Sequence, residues 1–89
     1  MYKIILEPQA EKFLLKKLDK NSQTKISQKI DQLTINPFSP NSNLDKLTGL
    51  EHGYRLRVGN IRIIYTTNTD TQIITIWKIN WRGSVYHHP

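Results

Sequence analysis

The residues of this 89-residue chain best suited to chemistry are its four arginines, Arg55, Arg57, Arg62 and Arg82. All four lie between positions 55 and 82, whereas eight of the nine lysines fall in residues 1 to 50. Lysine is a flexible, well-hydrated point charge that suits a solvated helix face, while arginine offers a planar fork of donors matched to phosphate oxygens. The formal charge of +6 and a pI near 9.8 favour an anionic partner such as nucleic acid or an acidic protein. The second half of the chain is therefore where phosphate chemistry is to be sought.

Three of these arginines sit on a hairpin whose register can be read directly. Tyr54-Arg55-Leu56-Arg57-Val58 and Ile61-Arg62-Ile63-Ile64-Tyr65 are separated by Gly59-Asn60, and glycine first in a two-residue loop suits a type II′ turn. Val58 then faces Ile61, Arg57 faces Arg62, Leu56 faces Ile63 and Tyr54 faces Tyr65. Side chains alternate between faces along a strand, so Tyr54, Leu56, Val58, Ile61, Ile63 and Tyr65 form a core face, and Arg55, Arg57 and Arg62 share the other. Two guanidiniums opposed across strands destabilise a sheet by tenths of a kcal/mol up to about 1. An anion between them relieves that repulsion and gains charge-assisted hydrogen bonds. A merely solvated face usually mixes charges, yet neither hairpin strand carries Lys, Asp or Glu.

A turn at Asn68 to Thr71 would bring Trp77 opposite Arg62, with Thr66, Thr75 and Ile64 beside it. Packing is the more frequent use of a large aromatic on a sheet, ahead of base stacking or a cation–π contact. The chain then runs Asn80-Trp81-Arg82-Gly83-Ser84-Val85-Tyr86-His87-His88-Pro89.

These residues need a scaffold, and the rest of the pattern supplies one. Residues 2 to 6 read as a strand ending at Glu7-Pro8. Ala10, Phe13, Leu14 and Leu18 recur at helical spacing from Pro8 to about Asp19, with Glu11 early and Lys16 and Lys17 late, as the helix dipole favours. Ser22 is positioned to cap a second helix, with Ile26, Ile30 and Leu33 on one face, that stops at Asn36-Pro37. Residues 36 to 43 are turn formers throughout, and three strands follow at about 54 to 58, 61 to 67 and 72 to 79. The expected fold is α+β with order β-α-α-β-β-β, a two-helix hairpin packed on a small, mainly antiparallel twisted sheet. Eighty-nine residues with 37% apolar side chains, twelve of them Ile, suit a single domain over 1–89. Absence of Cys excludes a disulfide framework and a thiolate metal site and makes cytoplasmic residence the default. No apolar run approaches the roughly 18 residues of a membrane span, and the opening MYKIILEPQAEK turns acidic where a signal peptide stays apolar.

Leu47-Thr48-Gly49, the run Tyr54 to Tyr65 and Arg82-x-x-Val85-Tyr86, on this order of elements, resemble the RelE/ParE superfamily of toxins from bacterial toxin–antitoxin pairs, and its RelE-like branch in particular. The resemblance covers nearly the whole chain, although the helical half is generic. It implies metal-free and cofactor-free cleavage of messenger RNA in the ribosomal A site, by attack of a ribose 2′-hydroxyl on the adjacent phosphate, and silencing by an acidic cognate antitoxin. It further implies a catalytic set of Arg55, Arg57, Arg62, Arg82, Tyr86 and His87, with Arg55, Arg57, Lys78 and Trp81 contacting RNA. Where RelE carries lysines on the first arginine strand this chain has arginines, and a guanidinium with pKa above roughly 12 cannot serve as a general base. Tyr86, His87 and His88 are the candidate proton acceptors. A related branch pairs a carboxylate with a histidine near the chain end, which Asp45 and His87 would reproduce. Trp81 stands where many relatives carry His. Two other readings stay open: a ParE-like gyrase-inhibiting toxin, and an inactive relative that only binds its antitoxin.

Overall fold

In the computed structural model, residues 1–38 and 44–81 are described. The first strand, β1 (Lys3–Leu6), leads into α1 (Pro8–Lys16) and α2 (Lys20–Ile35), followed by β2 (Leu44–Lys46), β3 (Gly53–Val58), β4 (Ile61–Asn68) and β5 (Ile73–Trp81). The strands form one five-stranded sheet in the order β1-β5-β4-β3-β2. Every neighbouring pair is antiparallel except β1 with β5, where Lys3 to Leu6 run parallel to Ile73 to Ile76.

Proline at the first helical position starts α1 at no hydrogen-bonding cost, because that N–H would lack a partner in any case. The break between the helices falls at Leu18-Asp19, earlier than the expected Asn21-Ser22. The cap is Asp19, whose carboxylate accepts from the Ser22 N–H at 3.1 Å; Ser22 is a donor there and not the cap. Gln23 then donates to the Leu15 and Leu18 carbonyls at 3.3 and 3.1 Å, satisfying acceptors that the end of α1 leaves open.

Both helices cover one face of the sheet. Ala10, Phe13, Leu14 and Leu18 from the first helical region and Ile26, Ile30 and Leu33 from α2 are buried with Leu56, Ile61, Ile63, Tyr65, Ile74, Ile76 and Ile79. Tyr65 is fully buried, stacks on Tyr54 at 5.6 Å and donates from its hydroxyl to the Pro37 carbonyl at 2.8 Å, fastening the end of α2 to the sheet. Burial, and secondarily the neighbouring Tyr54, push the Tyr65 hydroxyl pKa well above its ordinary value of 10. At its far end β5 outruns β1, and the Gln9 side chain of α1 takes the strand's place, bonding both the N–H and the carbonyl of Ile79 at 3.4 Å.

Two features of the sheet also differ from the sequence reading. The sheet has a strand that was not expected, β2, of only three residues. It is too short to show a period, yet it pairs along β3 with Asp45 opposite Arg55. In addition, β5 carries a bulge against Ile64 and Tyr65: Ile64 pairs with Lys78 and Tyr65 with Ile76, so Trp77 is the extra residue. Among the described residues no helix is long and apolar enough to cross a membrane.

Candidate functional site

The hairpin of β3 and β4 has the expected register, with Val58 opposite Ile61, Arg57 opposite Arg62, Leu56 opposite Ile63 and Tyr54 opposite Tyr65. Gly59 adopts φ 60° while Asn60 does not enter the left-handed region, the pattern of a II′ turn. A side chain at Gly59 would meet this backbone strain and not a steric neighbour. The turn therefore sets the alternation that sends Leu56, Ile61, Ile63 and Tyr65 under the helices and leaves Arg55, Arg57 and Arg62 half-buried on the outer face.

That face is not free of acid, as the hairpin strands alone suggested. Asp45 on the neighbouring strand accepts from an Arg55 terminal nitrogen at 3.1 Å, and the same carboxylate oxygen lies 3.8 Å from Arg57 Nε. The first is a hydrogen-bonded ion pair; the second is a charge contact too long for a hydrogen bond. The Nε atoms of Arg55 and Arg57 are buried and make no hydrogen bond among the described residues. Arg62 forms no ion pair among the described residues. Arg55 is thus largely committed to Asp45, Arg57 is shared, and Arg62 is open.

Beyond β4 the register also departs from expectation. Asn80, not Trp77, lies opposite Arg62, because the turn after β4 takes four residues between the paired Asn68 and Ile73, and the bulge then adds one more to β5. Asn68 builds that turn by accepting from the N–H groups of Asp70 and Thr71 at 3.0 and 3.1 Å. The bulge reverses the alternation of β5 so that Trp77 and Lys78 are both exposed between buried Ile76 and Ile79. Lys78, opposite Ile64, joins Arg57 and Arg62 on the outer face. Trp81 falls opposite Ile61, on the helix side, with its ring edge-on to Phe13 at 5.3 Å. Arg82, Tyr86, His87 and His88 lie outside the described residues.

The arrangement puts Arg55, Arg57, Arg62 and Lys78 on one sheet face where the Asp45 carboxylate reaches only Arg55 and Arg57 among the described residues, a net positive surface with two guanidiniums in direct cross-strand opposition. Opposite charges and planar forks of this kind suit a phosphate group. Asp45, expected only as a partner of His87, lies against Arg55 and Arg57; the signal for that contact was the Leu-Asp-Lys triplet after the turn-rich segment, where one acid stands ahead of the arginine strand.

The comparisons with known proteins bear on the family and the fold. The family described as "ParE toxin of type II toxin-antitoxin system, parDE" matches residues 4–86. The chain belongs to the RelE/ParE superfamily. A Methanocaldococcus jannaschii protein whose name assigns it as toxin RelE1 is 35% identical over 77 residues, covering 84% of each chain. RelE of the Pyrococcus horikoshii RelE-RelB complex superposes with a TM-score of 0.82 at 29% identity, over 93% of this chain and 97% of that one. The Methanococcus jannaschii RelB-RelE complex gives 0.69 at 28% identity, over 92% and 94%. The isolated Escherichia coli RelE shares the fold, with a TM-score of 0.78 at 18% identity over 97% and 92%. The chain is a RelE-like toxin with two helices on a five-stranded mixed sheet.

Proposed function

We propose that this toxin is a ribosome-dependent endoribonuclease that cleaves messenger RNA in the A site without a metal ion, and that a cognate acidic antitoxin silences it. The observation that carries the reading is the opposition of Arg57 and Arg62 across the Gly59–Asn60 turn, with Arg62 outside the reach of Asp45. Phosphate oxygens seated between the two guanidiniums would replace their mutual repulsion by attraction.

In the reaction the ribose 2′-oxygen attacks the adjacent phosphorus, its proton passes to a base, and the bond to the 5′-oxygen breaks. The leaving oxygen takes up a proton, which leaves a 2′,3′-cyclic phosphate and a free 5′-hydroxyl. Negative charge grows on the non-bridging oxygens as this proceeds, and Arg57, Arg62 and Arg82 stabilise it. Arg55 and Lys78 contact flanking phosphates. Tyr86 and His87 are the proton-carrying groups of the assignment, since guanidiniums stay protonated. Asp45 acts by fixing the planes of Arg55 and Arg57, and the RNA-contacting role is assigned to Lys78 ahead of Trp81, whose ring packs on Phe13.

The antitoxin reading draws support from the RelB-bound state of two solved relatives and from the +6 charge of the chain. Leu15, Ile35 and Phe38, exposed on the helical side, give such a segment apolar anchors beside the lysines of the helices.

Purified protein added to translating ribosomes should cut mRNA and leave 2′,3′-cyclic ends. Arg57→Ala and Arg82→Ala should each lower the rate by about 10²- to 10³-fold. Undiminished cleavage in both would remove the assigned site. Inhibition of gyrase supercoiling with mRNA left intact would replace the reading by the ParE-like one. An induced chain that leaves growth unchanged would reduce it to antitoxin binding alone.

A further inference from the structure

Seven aromatic side chains lie in the described residues, and six of them pack ring against ring: Tyr2 with Phe38, Phe38 with Tyr54, Tyr54 with Tyr65, and Phe13 with Trp81. Trp77 is the exception. Its indole is 46% exposed on the outer face of the sheet, the face the helices do not cover. It is nevertheless held, because Nε1 donates to the Thr66 hydroxyl at 2.9 Å. The bulge that makes Trp77 the extra residue of β5 also turns Lys78 outward beside it.

Burying a tryptophan and exposing one have opposite costs, so an outward indole fixed at one edge and still nearly half exposed is a surface prepared for a flat partner. What lies along the same strands names that partner. From Arg62 through Ile64 to Thr66 is four residues of β4, about 13 Å at strand spacing. Lys78 stands opposite Ile64, midway between the arginine pair and the indole. Past Thr66 an open trough of about 470 Å³ continues on the sheet and the adjoining turn, where the hydroxyl and amide groups of Thr66, Thr75, Asn68 and Thr71 stand among apolar Ile5 and Ile73, with Glu51 also in the lining. Cations, then an aromatic face, then a trough that mixes apolar surface with hydroxyl and amide groups are what a phosphate, a stacked base and the edge of that base each need. The cations select an anionic partner, and the exposed indole beside them favours one that carries flat bases.

We infer that Trp77 is a base-stacking platform for a nucleotide of single-stranded RNA flanking the phosphate held by Arg57 and Arg62, with the Thr66–Thr75 trough receiving the edge of that base. The inference rests on the proposed phosphate site and adds to it a residue that reads the base. Stacking strength then supplies a preference for a purine over a pyrimidine at the stacked position. Glu51 in the lining disfavours a further phosphate there, so the trough takes a base and not backbone.

The experiment measures binding of a dye-labelled, 2′-O-methyl hexaribonucleotide, which cannot be cleaved, by fluorescence anisotropy, beside a counterpart with one abasic site. Trp77→Ala should weaken binding of the intact oligonucleotide by about fivefold to a hundredfold, Trp77→Phe should restore most of it, and neither change should move binding to the matching abasic strand. A purely structural role would lower both strands together. Equal affinity of Trp77→Ala and the unaltered protein for the intact strand overturns the inference, while loss of binding in Arg62→Ala under the same conditions keeps the phosphate site standing. Binding insensitive to both Trp77→Ala and Arg62→Ala, or no binding at all, overturns both.

Discussion

The two faces of the sheet are made from the same strands and have opposite fates. Under the helices, Leu56, Ile61, Ile63, Tyr65, Ile74, Ile76 and Ile79 are buried, and the side chains there answer to volume. One residue away along each strand, Arg55, Arg57, Arg62, Lys78 and Trp77 face outward, and they answer to charge and to a partner outside the chain. The difference teaches that stability and activity should separate cleanly between neighbours such as Arg62 and Ile63.

Truncation on the two faces is the strongest way to break that comparison. Ile63→Ala should cost about 2–5 kcal/mol of stability, because a fully buried side chain leaves a cavity. Arg62→Ala should lower mRNA cleavage by about 10²- to 10³-fold and leave the urea midpoint unchanged or slightly higher, since it removes a cross-strand repulsion worth at most about 1 kcal/mol. Comparable losses of stability in the two variants would show the outer face to be structural.

Tyr65 sharpens the core side. Its raised hydroxyl pKa means that the folded chain favours the neutral phenol, so this contribution to stability is complete below the ordinary value of 10 and is lost as the pH climbs above it. Thermal melts of the unaltered protein should fall across that alkaline range. Tyr65→Phe should remove this portion of the fall and cost about 1–3 kcal/mol at neutral pH, because the Pro37 carbonyl loses its buried donor.

The smallest effect belongs to Asp45. Its pairing with Arg55 is half-exposed, so Asp45→Asn should change stability by no more than about 1 kcal/mol. It should tighten RNA binding by raising the charge of the face, yet slow cleavage by freeing the planes of Arg55 and Arg57. Faster cleavage in this variant would show that the carboxylate only competes with phosphate.

Much of this contrast was legible from residue types. The hairpin register followed from a two-residue turn with glycine first, and the helical stripes from Ala10 to Leu33 placed the core. What escaped was whatever depends on partners distant in sequence. Three residues of β2 carry no period, so their pairing, and with it the Asp45–Arg55 contact, is decided by the edge of β3. The bulge at Trp77 is decided by two constraints at once, the packing of Ile76 and Ile79 and the four-residue turn built by Asn68, and a strand read alone as strictly alternating cannot express both. Capping by Asp19 in place of Ser22 is a choice between two good caps three residues apart.

The central claim, that the outer arginines hold phosphate, is tested most directly by the salt dependence of binding to the non-cleavable oligoribonucleotide. For single strands the slope of log affinity against log salt is about 0.7 per neutralised phosphate, and Arg62→Ala should make it shallower by about that amount. A slope identical in the two proteins would mean that Arg62 neutralises no phosphate, and would contradict the account.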